Sequence, residues 1–262
     1  MARPTTSAYA CSPNWQEFPG SAQGRVEFVI LPLAFLGPAL RSILSFTSLN
    51  TAVILSMPLC VCFMHKAISH LKKSDPVLCG IIERVGPYRM EYGDPVFHSL
   101  AEAIVYQQLN GNAAVTIFKR FAALAGEPLT PEGILRLTDQ QMRQAGLSKQ
   151  KTSYLRDLAE RTRSGELNFA NLPQLSDEEV IEHLTRVKGI GTWTAHMFLI
   201  FALRRPNVLP TGDFGVRTAI KKHYKKRALP NPKQMEKIAK LWEPYRSAAC
   251  WYLWRSLDIK TM

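Results

Sequence analysis

Gly189 and Gly191 flank a single isoleucine between two helical patterns, and that spacing predicts a tight hairpin joining two helices. Glycine lets the backbone turn sharply and come close to a partner. The free amides of the second helix, from Gly191 to Trp193, form an anion-attracting N-terminus suited to a phosphate. After an apolar helix and the loop from Arg205 to Gly212 comes Asp213, just before another helix that starts near Phe214. A Gly-x-Gly alone occurs in many tight turns, and an aspartate in that position is an ordinary helix N-cap. The combination is more specific than either part.

The fold class follows from the helix starts. Asp75-Pro76, Asp94-Pro95, Thr130-Pro131 and Asn231-Pro232 each pair a capping residue with proline at the first helical position. The first two open helices predicted near Pro76 to Val85 and Pro95 to Leu109. Ser176-x-x-Glu179 is a capping box ahead of Val180, Ile181 and Leu184. No stretch after Met64 alternates with period two as a half-buried strand does. The expectation is an all-α, two-lobed fold with a cleft between the lobes.

Residues 1–63 differ from the rest. Their only charged residues are Arg3, Glu17, Arg25, Glu27 and Arg41, so 64–262 carries +11 of the total charge of +12. With a pI near 9.6, that balance favours a polyanionic partner without separating DNA from RNA or an anionic membrane. The 23 residues from Ser42 to Met64 are uncharged, long enough to cross a bilayer but diluted by Ser, Thr, Asn and Pro. The expected organisation is an irregular apolar extension over 1–63 and a helical domain over 64–262. A disordered segment or an upstream start is favoured over a membrane segment for the extension. Cys11, Cys60, Cys62, Cys79 and Cys250 have neither zinc-ligand nor disulfide-framework spacing. The six histidines show no triad or ligand pattern.

Val187-Lys-Gly-Ile-Gly-Thr-Trp-Thr-Ala195, an apolar helix, then Leu209-Pro-Thr-Gly-Asp213 at this spacing resembles the helix-hairpin-helix DNA glycosylase superfamily. Within it the chain is similar to the 3-methyladenine DNA glycosylase II branch, over roughly Met64 to Asp258. Trp242-x-Pro-x-Arg-Ser247 with Trp254 extends the likeness. The resemblance implies that Asp213 is the catalytic carboxylate and that Gly189, Gly191 and Trp193 form the phosphate-binding hairpin. Tyr106, Trp193, Phe214 and Trp254 would line a pocket for a flipped base. A cationic alkylated purine suits aromatic faces. Gln108, with Leu109 second, would wedge into the duplex.

Superfamily members that also cut the backbone carry a Schiff-base lysine where this chain has Trp193, so the resemblance implies a monofunctional enzyme using water. Some relatives carry a four-cysteine iron-sulfur loop at the C-terminus, but only Cys250 lies in that region here, so no cluster is expected. No cofactor is required, and hairpins of this family can hold a structural monovalent cation on main-chain carbonyls, which here would be those of Thr185, Val187 and Ile190. Lys188 stands where the family commonly has proline, which removes one source of turn rigidity. Lys149 and Lys151 fall before a helix expected near Thr152, in a loop that approaches DNA in the family. The basic run Lys221, Lys222, Lys225, Lys226 and Arg227 is a further phosphate contact or a solvated face.

The expected function is excision of alkylated purines, 3-methyladenine first and 7-methylguanine only as a secondary candidate, from double-stranded DNA in base excision repair. The protein would act as a monomer without an obligate protein partner, in the bacterial cytoplasm or a nucleus. Two rivals remain. One is a non-catalytic DNA-binding module in which Asp213 only caps, and the other is a glycosylase for oxidised or mismatched bases.

Overall fold

The computed structural model describes residues 51–109 and 111–259. Among them are twelve α-helices and no strand. The chain begins with α1 (Thr51–Ser74), α2 (Pro76–Val85), α3 (Phe97–Tyr106) and α4 (Gly111–Ala125). Short α5 (Pro131–Leu135) and α6 (Asp139–Gln144) lead into α7 (Lys149–Arg163). The hairpin pair is α8 (Asp177–Thr185) and α9 (Thr192–Phe201). The chain closes with α10 (Phe214–His223), α11 (Pro232–Ala239) and α12 (Arg246–Asp258).

Packing divides these helices into two groups around one continuous apolar core. Helices α3 to α7 pack on one another, whereas α2 and α12 bring the two ends of the described chain together with α1 and α10. Helix α9 is apolar around its whole circumference, and six of its ten residues are buried. A helix of that composition belongs in an interior. Its exposed residues are Thr192 and Trp193 in the first turn, with His196 and Phe201 partly buried.

The cap signals position several starts as expected. Asp75 accepts from the Val77 and Leu78 amides at 2.9 and 3.1 Å, and Ser176 and Asn231 each complete a capping box. Replacing such a cap with alanine costs about 0.5–2 kcal/mol. Asp75 does more than cap, because its second oxygen accepts from the Trp242 indole at 2.8 Å and from the Tyr224 hydroxyl. That carboxylate joins α2 to the C-terminal helices.

Four boundaries differ from the sequence expectation, among them the end of α3, which comes at Tyr106 rather than Leu109. Helix α3 starts at Phe97 rather than Pro95, with Val96 at the cap position and no side-chain cap. The preceding turn instead closes through Val96 N to Asp94 O, and Gly93 N donates to Phe201 O at the end of α9. Helix α7 starts at Lys149, capped by Ser148, three residues earlier than expected. The composition break at 63/64 falls inside α1, where Phe63 packs edge-on to Tyr245 with ring centroids 5.5 Å apart. Residues 1–50 lie outside the described residues, and the extension expected over 1–63 falls mostly there. No helix among the described residues is long and apolar enough to cross a membrane.

Candidate active site

The route from α9 to Asp213 is stitched to its surroundings. Arg205 donates to the carbonyls of Pro173 and Leu175 at 3.0 and 2.6 Å and pairs with Asp177 at 3.3 Å. Ser247, at the start of α12, donates its hydroxyl to Arg205 O and accepts from Val208 N. These bonds hold the loop in one path and deliver Asp213 to the N-terminus of α10.

Asp213 is 3% exposed and accepts three hydrogen bonds. Its Oδ1 takes the Val216 amide at 2.7 Å, which caps α10, and the Trp254 indole at 2.8 Å; its Oδ2 takes the Trp193 indole at 2.7 Å. Among the described residues no lysine or arginine forms an ion pair with it. The α10 dipole favours negative charge at this position. An ionised carboxylate offers about four lone-pair directions, so one remains after the three N–H donors.

The two indoles come from α9 and α12, so their meeting depends on tertiary packing. Trp254 also stacks on Phe201, with ring centroids 5.8 Å apart and planes 22° apart. Gly215 makes room for this arrangement. A Cβ there would lie 3.0 Å from Trp254 Cδ1 and 3.2 Å from Asp213 Oδ1. Neither Phe201 nor Gly215 stands out by sequence pattern; the Asp-Phe-Gly run is the only local hint of the glycine's role. Trp193 is 38% exposed and Phe214, beside Asp213, is 54% exposed. Tyr106 packs on Phe118 where α3 meets α4, with centroids 6.0 Å apart. Trp242 and Trp251 are buried packing residues.

The two hairpin glycines have different reasons to be glycine. Gly189 adopts φ +81°, and a Cβ there would sit 2.1 Å from the Tyr154 ring, so the fold itself requires it. Gly191 caps α9 at φ −97°, and an added Cβ would meet nothing within 4 Å. Internal packing does not account for Gly191. Open space of this kind at a helix N-terminus leaves room for an anion to approach the amides.

Lys188 gives the turn a support that proline could not. Its amide donates to Asp157 Oδ2 on α7 at 2.9 Å. Burial works against the charged carboxylate, but the Lys188 amide and the Arg161 guanidinium outweigh it and hold Asp157 below the ordinary carboxylate range. This hydrogen bond ties the turn to α7.

At the end of α3, Gln107 leaves helical geometry and Gln108 adopts φ +56°. A non-glycine residue in that region is uncommon and marks a strained turn. Gln108 and Leu109 are both exposed beyond this turn rather than inside a helix. Gln107 is turned elsewhere, donating its side-chain amide to Gly189 O at 3.0 Å. Lys151 is not a free loop lysine. Its Nζ donates to Val105 O at 2.5 Å, and burial lowers its pKa to about 8. Lys149, Lys221, Lys222, Lys225, Lys226 and Arg227 remain exposed.

A family model described as the HhH-GPD superfamily base excision DNA repair protein matches residues 101–244. DNA-3-methyladenine glycosylase 1 of Schizosaccharomyces pombe is 37% identical over 198 residues, covering 73% of this chain and 86% of the relative. A solved structure of the S. pombe 3-methyladenine DNA glycosylase Mag1 in complex with abasic DNA superposes with a TM-score of 0.66 at 36% identity, covering 74% and 97% of the two chains. A crystal structure of a DNA-3-methyladenine glycosidase from Bacillus halodurans gives a TM-score of 0.66 at 38% identity, covering 72% and 87%.

Proposed function

Since the chain belongs to the HhH-GPD superfamily of base excision DNA repair proteins, we propose that it is a monofunctional DNA glycosylase that hydrolyses the N-glycosidic bond of alkylated purines. Its substrates are 3-methyladenine and 7-methylguanine in duplex DNA, and it acts as a monomer. The observation that carries this reading is the Asp213 carboxylate held by Trp193 and Trp254 at the start of α10.

The target nucleotide must leave the stack before its glycosidic bond is accessible. Gln108, with Leu109 beside it, fills the space left in the duplex, while Gly191 and the first amides of α9 hold a backbone phosphate. Aromatic faces of Trp193, Phe214, Trp254 and Tyr106 receive the cationic base by stacking and cation–π attraction. As the bond breaks, positive charge develops on the sugar. The fixed carboxylate of Asp213 stabilises that charge, and its remaining lone pair positions or deprotonates the attacking water. A cationic base leaves readily, so the chemistry needs little general-acid help. Trp193 has no nucleophilic amine, which excludes a Schiff base at that position.

The carbonyls of Thr185, Val187 and Ile190 are the groups that would hold a monovalent cation against the phosphate. Val187 O already accepts from Ile190 N at 3.1 Å, and its second lone pair suits an ion. No step of the hydrolysis is assigned to that ion.

Single-turnover base release from methylated duplex DNA, with enzyme in excess, tests the reading. Release of methylated purines by the full chain supports it. Tight binding without release would leave only the non-catalytic module, and release confined to oxidised or mismatched bases would move the protein to another substrate class.

A further inference from the structure

One face of α7 touches both elements that this reading places on DNA. Lys151, Tyr154 and Asp157 recur every three residues and so lie along one side of the helix. Lys151 Nζ binds Val105 O, one of the terminal carbonyls of α3 that a helix end leaves without an intrahelical partner. Tyr154 lays its ring against Gly189, leaving no room for a Cβ. Asp157 accepts the Lys188 amide at 2.9 Å, and its other oxygen lies 3.6 Å from Lys188 Nζ. Gln107 then bonds Gly189 O at 3.0 Å, joining the wedge turn directly to the hairpin. These contacts form a closed ring.

Resting on the glycosylase reading, we propose that α7 is a splint that fixes the spacing between the wedge turn and the phosphate hairpin. Gripping the backbone and inserting into the duplex thereby become one coupled event. Lys151, Tyr154, Asp157 and Gln107 are positioning residues: they act through the turn and the hairpin and touch neither base nor sugar. A hairpin alone suffices to hold undamaged backbone. Holding backbone and opening the helix together requires the ring intact, because a displacement of about 1 Å can cost on the order of 10²-fold in rate.

The test compares full-length wild type with Asp157→Ala, Lys151→Met and the double variant. Affinity for undamaged duplex, fluorescence of 2-aminopurine next to the target nucleotide, and single-turnover base release are measured beside thermal melts. Each single variant is expected to bind undamaged duplex within about twofold of wild type and to lose about tenfold in base opening and release. The double variant should be little worse than either single one, since opening the ring twice adds little. Asp157→Asn, whose side-chain oxygen can still accept the Lys188 amide, should recover most of the loss.

Additive losses, unchanged base opening, or a fall in undamaged-DNA affinity matching the fall in release would each overturn the splint. If Asp157→Ala does not fold, Lys151→Met breaks the same ring at its opposite end and decides the question alone. If wild type releases no methylated base, the glycosylase reading fails, while the fluorescence comparison still decides whether the ring couples grip to opening.

Discussion

Trp193 donates its indole N–H to Asp213 Oδ2 at 2.7 Å across twenty residues of sequence. This bond changes what an amide substitution does. By volume and capping ability alone, Asp213→Asn looks nearly silent for folding. If the asparagine oxygen keeps Val216 and Trp254, however, its NH₂ faces the Trp193 N–H, donor against donor. The variant should lose about 0.5–1.5 kcal/mol of stability, the net scale of one hydrogen bond, and shift its tryptophan emission as Trp193 is released. Base release should slow by about 10² to 10⁴, because the amide offers no charge to a cationic sugar. Equal single-turnover rates would return Asp213 to a helix cap.

The glycines should separate folding from binding. Gly189→Ala places a Cβ at φ +81° and against Tyr154, so it should lower the melting temperature, with about 1–2 kcal/mol from the backbone alone. Gly191→Leu meets open space and an ordinary φ. It should melt like wild type yet weaken binding to damaged and undamaged duplex equally, since the hairpin contacts backbone. Selective loss of lesion binding would place Gly191 in the base pocket instead.

Borohydride should not trap the wild-type protein on DNA. Trp193 occupies the position of the Schiff-base lysine, and Lys151, the amine with the lowered pKa, is committed to Val105 O. A covalent complex that survives denaturation would show that some amine performs lyase chemistry, and would end the monofunctional assignment.

Glu102, 4% exposed on α3, predicts a pH signature in stability. Burial, then the charge of Glu127, raises its pKa from 4.5 to about 7. Between these values the folded state holds a proton that the unfolded state has lost. Stability therefore falls as pH rises from about 4.5 to 7 and stays reduced above that. Glu102→Gln removes this dependence, so its melting temperature should gain on wild type progressively from about pH 5 to pH 8. A gap that does not change with pH would show that Glu102 does not titrate in this range.

Asp75 and Asp213 show what local sequence leaves open. Each precedes a helix, each caps it, and each accepts a tryptophan indole. Asp75 is enclosed by Trp242 and Tyr224 and joins helices within the fold, whereas Asp213 is held by Trp254 and by a tryptophan that reaches the surface. Their capping roles alone do not distinguish them. Only the long-range partners, brought by α9 and α12, make one a joint and the other a candidate catalytic group.

The helix class, most helix starts, the hairpin turn and the cap at Asp213 were legible in the sequence by itself. They depend on interactions within a few residues: a cap bonding an amide two or three positions on, proline at a first helical turn, glycine where φ is positive. Tertiary structure alone decided the rest: that Trp193 and Trp254 meet on Asp213, that Gly189 yields to Tyr154 while Gly191 faces open space, and that Asp157 supports the Lys188 turn. Those hydrogen bonds join residues 20 to 41 positions apart. Side chains that far apart in sequence meet only when the packing of whole helices sets their distance and direction, and helical periodicity carries no record of that geometry.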